Sequence, residues 1–331
     1  MKNGLARFEH HLQKLEALMK QARKEQNPAL WLSTNDARTP LFMLEALARL
    51  YSSLHNKKKF TQLNDQFKLL EDGFGQVDYY ASYAKIFLTN PTLPVHLREY
   101  MQAQTREKLQ YVNDLLASKS WVGETPQRFK KIRKSLRKVD WLKPQAEAKA
   151  TLEFYKNEIN GIKKFVNESA RSFTEMEEQV HELRRDLRWL SIYPQALQGM
   201  IQLADIGQRD TATKKYLVTE IVQSKFNIMP DAGSNRWFVL LEKNHFYALS
   251  WMIAETGKIK DEGLEIFAVS EALMQTEGLS QEVAYQRSFE ILGLPASRMQ
   301  DLLARASQIT NAFMEEKQLD QLNCAVGRIR K

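Results

Sequence analysis

This 331-residue sequence lacks several features that define common protein classes. It has a single cysteine, Cys324, which excludes a disulfide framework and fits a reducing compartment. No stretch approaches the roughly 20 apolar residues of a membrane span, and residues 1–10 lack the apolar core of a signal peptide. The sequence therefore predicts a soluble, cytoplasmic protein.

Recognisable catalytic motifs are also lacking. There is no Gly-rich phosphate loop, nucleophile elbow or dinucleotide fingerprint, and the six histidines show no metal-ligand spacing with acids or with Cys324. Glu71, Asp72 and Asp78 could serve a metal-dependent phosphohydrolase, but exposed carboxylates at a glycine-containing helix break explain them more simply. We therefore expect no enzyme activity, no metal and no cofactor, with the phosphohydrolase as the minor alternative.

Strand-like alternation of apolar and polar residues is nearly absent, whereas apolar residues at three-and-four spacing occur in segment after segment. Residues 237–241, Trp-Phe-Val-Leu-Leu, are the best strand candidate. Because they continue into Phe246, Leu249 and Ile253, we interpret them as part of a buried helix. The pattern predicts an all-α fold.

Proline and glycine divide this pattern into helical segments. The predicted segments are residues 5–24, 40–55, 60–88, 95–117, 127–139, 146–206, 210–228, 235–255, 260–277, 280–292 and 296–323. We expect an interruption or bend near Gly73 and Gly75, a bend or break at Pro194 and a separation at Gly257. A boundary near residue 145 then gives two helical halves, 1–145 and 146–331.

Residues 180–190 read Val-His-Glu-Leu-Arg-Arg-Asp-Leu-Arg-Trp-Leu and carry the most informative pattern of the chain. Valine and leucine recur at three and four residues, which places them on one face of a helix. The opposite face carries a basic stripe without an acid inside it. This stripe consists of His181, Arg184, Arg185 and Arg188.

A second basic stripe lies 51 residues earlier, in residues 127–139. Thr125-Pro126 is a cap followed by proline and predicts the start of a helix there. The stripe consists of Lys130, Arg133, Lys134 and Arg137. Between Lys119 and Lys143 there are nine basic residues and two acids, so much of the net charge of +8 is concentrated in this segment.

Basic stripes of this kind suit anions for a physical reason. Arginine offers planar, forked donors that match phosphate oxygens, and lysine adds a mobile point charge. Like charges at helical spacing repel one another by a few tenths of a kcal/mol per pair, so a ligand or counter-ions must offset the repulsion. A polyanion suits this role because binding releases its own condensed counter-ions.

Other interpretations of the stripes remain open. A basic helix face is often only solvated, and a structural hydrogen bond would explain His181. Nucleic acid is possible but not favoured, because among aromatic residues only Trp189 is interleaved with the stripes. A basic amphipathic helix also lies on anionic lipid, although the apolar face of residues 127–139 has the ordinary width of a bundle helix.

The chain shows weak internal duplication, because Asn35-Asp-Ala-Arg38 resembles His181-Glu-Leu-Arg184, and Gly75-Gln-Val-Asp78 follows the first motif as Gly257-Lys-Ile-Lys-Asp261 follows the second. These repeated motifs resemble those of CHAD domains, the conserved-histidine α-helical domains. His181-Glu-Leu-Arg-Arg-Asp-Leu-Arg188 is similar to the family's second signature helix, and residues 127–139 to a basic helix that precedes it. Asn35-Asp-Ala-Arg38 is similar to the first signature helix, with asparagine in place of histidine. Gly257-Lys-Ile-Lys-Asp261 and the shorter Gly75-Gln-Val-Asp78 are similar to its glycine-x-x-basic-aspartate turn.

The resemblance implies an all-helical protein with two bundle-like halves, related by a pseudo-twofold axis, around a basic groove or pore that binds inorganic polyphosphate. It also adds Arg38 and Lys260 to the anion-binding residues of the two stripes. Our hypothesis is a non-enzymatic protein that binds polyphosphate or another phosphorylated polyanion. The alternative is a structural or protein-interaction bundle whose basic faces are solvated or dock an acidic partner.

Overall fold

A computed structural model of the chain describes residues 3–123, 127–169, 171–205 and 211–328, and its predominance of helix confirms the all-α class. The α-helices are α1 (Asn3–Ala22), α2 (Pro28–Thr34), α3 (Arg38–Leu54), α4 (Lys57–Thr89), α5 (Val95–Ser118), α6 (Arg128–Leu136), α7 (Pro144–Glu168), α8 (Glu182–Ala196), α9 (Thr211–Lys214), α10 (Thr219–Val222), α11 (Lys243–Glu277), α12 (Gln281–Leu292) and α13 (Arg298–Glu315). The strands are β1 (Ile201–Ala204), β2 (Trp237–Glu242) and β3 (Asn323–Arg328). Among the described residues, no helix combines the length and the apolar character that a membrane span requires.

The chain forms two compact units. The first contains Met1–Asp140 and Leu264–Ala296, and the second contains Trp141–Gly263 and Ser297–Lys331. The chain thus enters each unit twice, whereas the halves expected from the sequence were continuous. The pseudo-twofold relation of the halves stays a prediction.

Helices α3, α4 and α5 form the centre of the first unit, with α1 packed on α3. Leucines of α3 and phenylalanines of α4 recur at helical spacing and are buried, because each helix turns one apolar stripe towards its neighbour. A second buried cluster joins Phe87 of α4 and Leu97 of α5 to Leu264 and Leu273 of α11. The latter two belong to the part of α11 assigned to the first unit.

The second unit contains a small sheet that corrects the helix expected for residues 237–241. β2 lies between β1, which is parallel to it, and β3, which is antiparallel to it. Val239 and Leu241 are fully buried, and helix α7 packs against β2 and β3. The apolar run is therefore a buried central strand, a pattern that cannot be distinguished from a buried helix by periodicity alone.

Helix ends also differ from the predicted segments. Residues 146–206 contain α7, a π-helical turn (Met176–His181), α8 and β1 rather than one long helical region, and α8 continues through Pro194. Helix is discontinuous between residues 210 and 228, and α13 stops at Glu315 before β3. The predicted start of the basic helix at Thr125-Pro126 lies outside the described residues.

The long helices α4 and α11 run without a break through the glycines expected to interrupt them. In each of these helices, one glycine lies under an arginine side chain that comes from another helix of the same unit. A β-carbon at Gly75 would approach Arg38, and one at Gly257 would approach Arg184. The glycines therefore serve close approach rather than termination.

Candidate anion site around Arg184

Helix α8 presents the basic stripe as its amphipathic pattern predicts. Val180, Leu183, Leu187 and Leu190 are fully buried, while Arg185 is exposed. The preceding turn is π-helical, a rare conformation that is frequent at functional sites. Arg184, one helical turn after His181, is half-buried.

Arg184 reaches across to helix α11. Its Nε donates a long hydrogen bond of 3.3 Å to the backbone carbonyl oxygen of Ile253. A β-carbon built on Gly257 would lie 2.9 Å from the same Nε and 3.4 Å from Nη2. Because a real β-carbon essentially never comes this close, glycine at residue 257 allows the guanidinium to lie against the helix backbone.

The charge of Arg184 is poorly compensated inside the chain. Burial lowers the pKa of Arg184 below its ordinary value, and the more distant Asp261 carboxylate offsets only part of this effect. Within the described residues no carboxylate forms an ion pair with Arg184. A guanidinium carries five N–H donors, so Arg184 retains donors for an anion.

Other cations predicted at this site have carboxylate neighbours. His181 Nδ1 lies 2.7 Å from a carboxylate oxygen of Glu177, and Arg185 pairs with Glu182 in the same helix. Lys260 Nζ lies 2.6 Å from Asp261 Oδ1. Arg188 is half-buried and also has an interaction within the chain.

The second stripe lies on α6, in the first unit. Arg133 donates from Nε to both oxygens of Glu9 at 3.0 Å and from Nη2 to Glu16 at 2.8 Å, so two acids of α1 neutralise it. These contacts, led by the hydrogen bond to Glu9, raise the pKa of Arg133 despite partial burial. Lys130, Lys134 and Arg137 are exposed and form no ion pair with any described residue.

Arg38, at the start of α3, is enclosed by acids of α4. Its Nε donates to Glu71 Oε1 at 3.0 Å, its Nη2 also contacts Glu71, and its Nη1 donates to Asp78 Oδ2 at 2.7 Å. Burial is the largest single influence on its pKa and acts to lower it. Glu71 and Asp78 outweigh burial, so the pKa of Arg38 is raised.

The acidic cluster considered for a metal is thereby explained. Glu71 and Asp78 hold Arg38, and Asp72 forms a separate ion pair with Lys68 at 2.7 Å. Among the described residues no group of histidine, cysteine, aspartate and glutamate side chains is arranged to hold a metal ion.

Sequence reasoning did not find the parts of α11 that complete the Arg184 site. Gly257 was identified as a motif residue and a helix separator, and its role as the surface under Arg184 depends on two segments distant in sequence. Ile253 carried no polar signal, because only its backbone oxygen contacts the guanidinium. A glycine inside a strongly apolar helical pattern was the one available indication of close approach.

Comparison of the chain with protein-family profiles, with curated proteins and with solved structures gave no match in any of the three.

Proposed function

We propose that the protein is a non-enzymatic binder of a phosphorylated polyanion, with inorganic polyphosphate as the first candidate and Arg184 as the central contact. The observation that carries the proposal is a difference in charge compensation among three half-buried arginines. Arg38 and Arg133 each have two carboxylates, and their pKa values are raised. Arg184 has no paired carboxylate among the described residues, and its pKa is lowered.

Removing a cation from water without compensation is unfavourable, so half-buried charges in folded proteins are normally paired. An anion from solution would supply the missing partner of Arg184. Phosphate oxygens fit best, since the planar guanidinium can donate to two of them at once. His181, Arg185, Arg188 and Lys260 lie near Arg184 in sequence or on the facing segment of α11, and they would extend the contact along a chain of phosphates.

The motifs that resemble CHAD domains support membership of that family, and the net charge of +8 favours a polyanionic partner in the cytoplasm. The exposed Lys130, Lys134 and Arg137 would add a general attraction for polyanions. The competing proposal is an interaction bundle that docks an acidic protein, and it would use the same exposed cations.

Binding is tested by isothermal titration with polyphosphate, tripolyphosphate, heparin and single-stranded DNA at two salt concentrations. We expect polyphosphate to bind most tightly, with an affinity that falls steeply as salt rises. Arg184→Ala should weaken binding at least ~10-fold, which corresponds to about 1.4 kcal/mol. Arg171→Ala removes the same charge at an exposed ion pair of the same unit and serves as the matched control.

The proposed site is wrong if Arg184→Ala and Arg171→Ala have equal effects while the circular dichroism of both variants stays native. Absence of binding by every polyanion would favour the interaction bundle. If DNA binds more tightly than polyphosphate, the proposed ligand is wrong and nucleic acid takes its place.

A further inference from the structure

The first unit contains an arginine that is held against a helical glycine in the same manner as Arg184. A β-carbon on Gly75 of α4 would lie 3.1 Å from Nη2 of Arg38, compared with 2.9 Å between a β-carbon on Gly257 and Nε of Arg184. In both units, therefore, a half-buried guanidinium from one helix lies on the bare backbone of a long helix. The two arginines differ in what surrounds them.

The residue one helical turn before each glycine accounts for the main difference. In α4 this residue is Glu71, whose Oε1 accepts from both Nε and Nη2 of Arg38. In α11 the equivalent residue is Ile253, which offers only its backbone oxygen to Arg184. Residues four apart share a helix face, so an acid at this place lies directly on the guanidinium and an isoleucine leaves it without a counter-charge.

The aspartate that follows each glycine gives a second difference. Asp78 accepts from Nη1 of Arg38 at 2.7 Å and from the hydroxyl of Ser33 at 3.1 Å. Asp261 is paired with Lys260 instead and influences Arg184 only through the longer-range charge interaction. Each of the three guanidinium nitrogens of Arg38, and the hydroxyl group of Ser33, thus donates a hydrogen bond to a carboxylate oxygen of the chain.

We propose that Arg38 and Ser33 form a second anion site, which the chain keeps closed with its own Glu71 and Asp78 carboxylates. In this arrangement the carboxylate oxygens occupy the positions that phosphate oxygens would take. Ligand would consequently enter the Arg184 site and not the Arg38 site. The identity of the ligand rests on the proposed function, whereas the closure rests on the contacts of the first unit.

A tethered carboxylate is a strong competitor because it is always present next to the arginine. Linkage within one chain gives such a group an effective concentration of order millimolar or above. A free anion must therefore bind Arg38 tightly enough to displace a carboxylate that is present at this effective concentration. Displacement would also leave Glu71, which is buried, without its positive partner. An uncompensated buried carboxylate is costly, which adds to the closure.

Opening the site is tested in a chain whose Arg184 site has been disabled. The variants are Arg184→Ala alone, Arg184→Ala with Glu71→Gln and Asp78→Asn, and this triple variant with Arg38→Ala added. Binding of inorganic tripolyphosphate is measured by isothermal titration. We expect the triple variant to bind at least ~10-fold more tightly than Arg184→Ala, and Arg38→Ala to abolish the gain.

The control for the loss of one acidic charge from α4 is Asp72→Asn in the Arg184→Ala chain. Asp72 lies on the same helix and pairs with Lys68 rather than with Arg38, so its loss should give less than a twofold change. If the triple variant loses its helical circular dichroism, Arg184→Ala with Asp78→Asn gives the same test, because Asp78 is 40% exposed and its removal leaves Glu71 in place. We then expect a smaller gain that still requires Arg38.

Closing the Arg184 site is the reciprocal test. Ile253→Glu places a carboxylate at the position that Glu71 occupies in the first unit. It should weaken tripolyphosphate binding at least ~10-fold more than Ile253→Gln, which has the same size and no charge. Equal losses in the two variants would contradict the role assigned to this position.

The outcomes separate this inference from the proposed function. If the unaltered protein binds no polyanion but the opened triple variant does, the Arg38 site stands and the Arg184 proposal fails. If the unaltered protein binds through Arg184 and neither opened variant gains affinity over the Asp72→Asn control, the second site is overturned.

Discussion

Gly257 lies directly under the guanidinium of Arg184, so close that a β-carbon at this position would force the guanidinium to shift. A half-buried cation, a bare helix surface and the backbone oxygen of Ile253 are thereby brought to one place. This contact joins α8 to α11 within one unit. Adding a single methyl group at residue 257 therefore tests whether the position of the Arg184 guanidinium matters for binding.

Gly257→Ala should weaken polyphosphate binding severalfold without unfolding the protein. The added methyl group displaces the guanidinium, while alanine improves helix propensity by up to about 1 kcal/mol and offsets the steric cost. Titration calorimetry measures the affinity, and urea unfolding measures the stability. Gly161→Ala in α7, where nothing lies within 4 Å of the new methyl, should stabilise the protein and leave binding unchanged. Equal affinities in the two variants would contradict the assigned contact.

Arg133→Ala should lower the free energy of unfolding by about 1–2 kcal/mol, a value between those of exposed and buried ion pairs. The loss follows because Glu9 and Glu16, both partly buried, would remain without their shared partner. Lys134→Ala on the same helix removes an exposed lysine without a paired acid among the described residues and should change stability by less than about 0.5 kcal/mol. Urea unfolding of both variants checks this difference, which would vanish if α6 were only a solvated basic helix.

Glu45 gives stability a pH dependence. Its side chain is only 3% exposed, and burial, reinforced by Glu71, raises its pKa from 4.5 to about 7. A raised pKa in the folded state favours the protonated form, so its contribution is present below pH 4.5 and is lost as pH rises through about 7. At about 1.4 kcal/mol per unit of pKa, the folding free energy lost over this pH range is about 3 kcal/mol.

Glu45→Gln should therefore match the unaltered protein in acid and exceed its stability above neutral pH. Urea unfolding at a series of pH values between acid and alkaline conditions measures the gap. Glu153→Gln, at an exposed acid paired with Lys156, is the control and should show no such gap. A constant difference at every pH would mean that Glu45 does not titrate in this range.

Tyr80 and Tyr100 should contribute to stability as a coupled pair. Both hydroxyl groups donate to Glu271 Oε1, at 2.7 and 2.8 Å. Each single change to phenylalanine should cost about 1 kcal/mol, and the double change should depart from additivity by at least about 0.5 kcal/mol because the bonds share one acceptor. A double-mutant cycle by urea unfolding measures the coupling. Tyr111→Phe on α5, at an exposed tyrosine, is the control.

Tyr80 and Tyr100 should also make the stability of the folded protein sensitive to alkaline pH. Burial, and then the hydrogen bond to Glu271, raises the pKa of Tyr80 and of Tyr100 above the ordinary value of 10. Their contribution is therefore present at neutral pH and is lost as pH rises above 10. Unfolding curves of the double phenylalanine variant should depend less on pH in this range than those of the unaltered protein.

Local sequence patterns determined the helical class and the orientation of individual helices. The apolar spacing of residues 180–190 correctly placed Leu183, Leu187 and Leu190 in the core, because helical periodicity is a property of consecutive residues. The same rule failed at residues 237–241. Strand β2 acquires its partners from β1 and β3, and a continuous apolar run does not reveal such distant partners.

The sequence by itself determined that basic residues form stripes on two helices, and it led to the prediction that these stripes bind an anion. Only the tertiary structure decided which cations are already neutralised. Arg38 meets Glu71 and Asp78, and Arg133 meets Glu9 and Glu16, across separations that no local pattern records. Arg184 meets a glycine and a backbone oxygen instead. Net charge is additive along a sequence, whereas compensation of charge depends on which side chains the fold brings within a few ångströms.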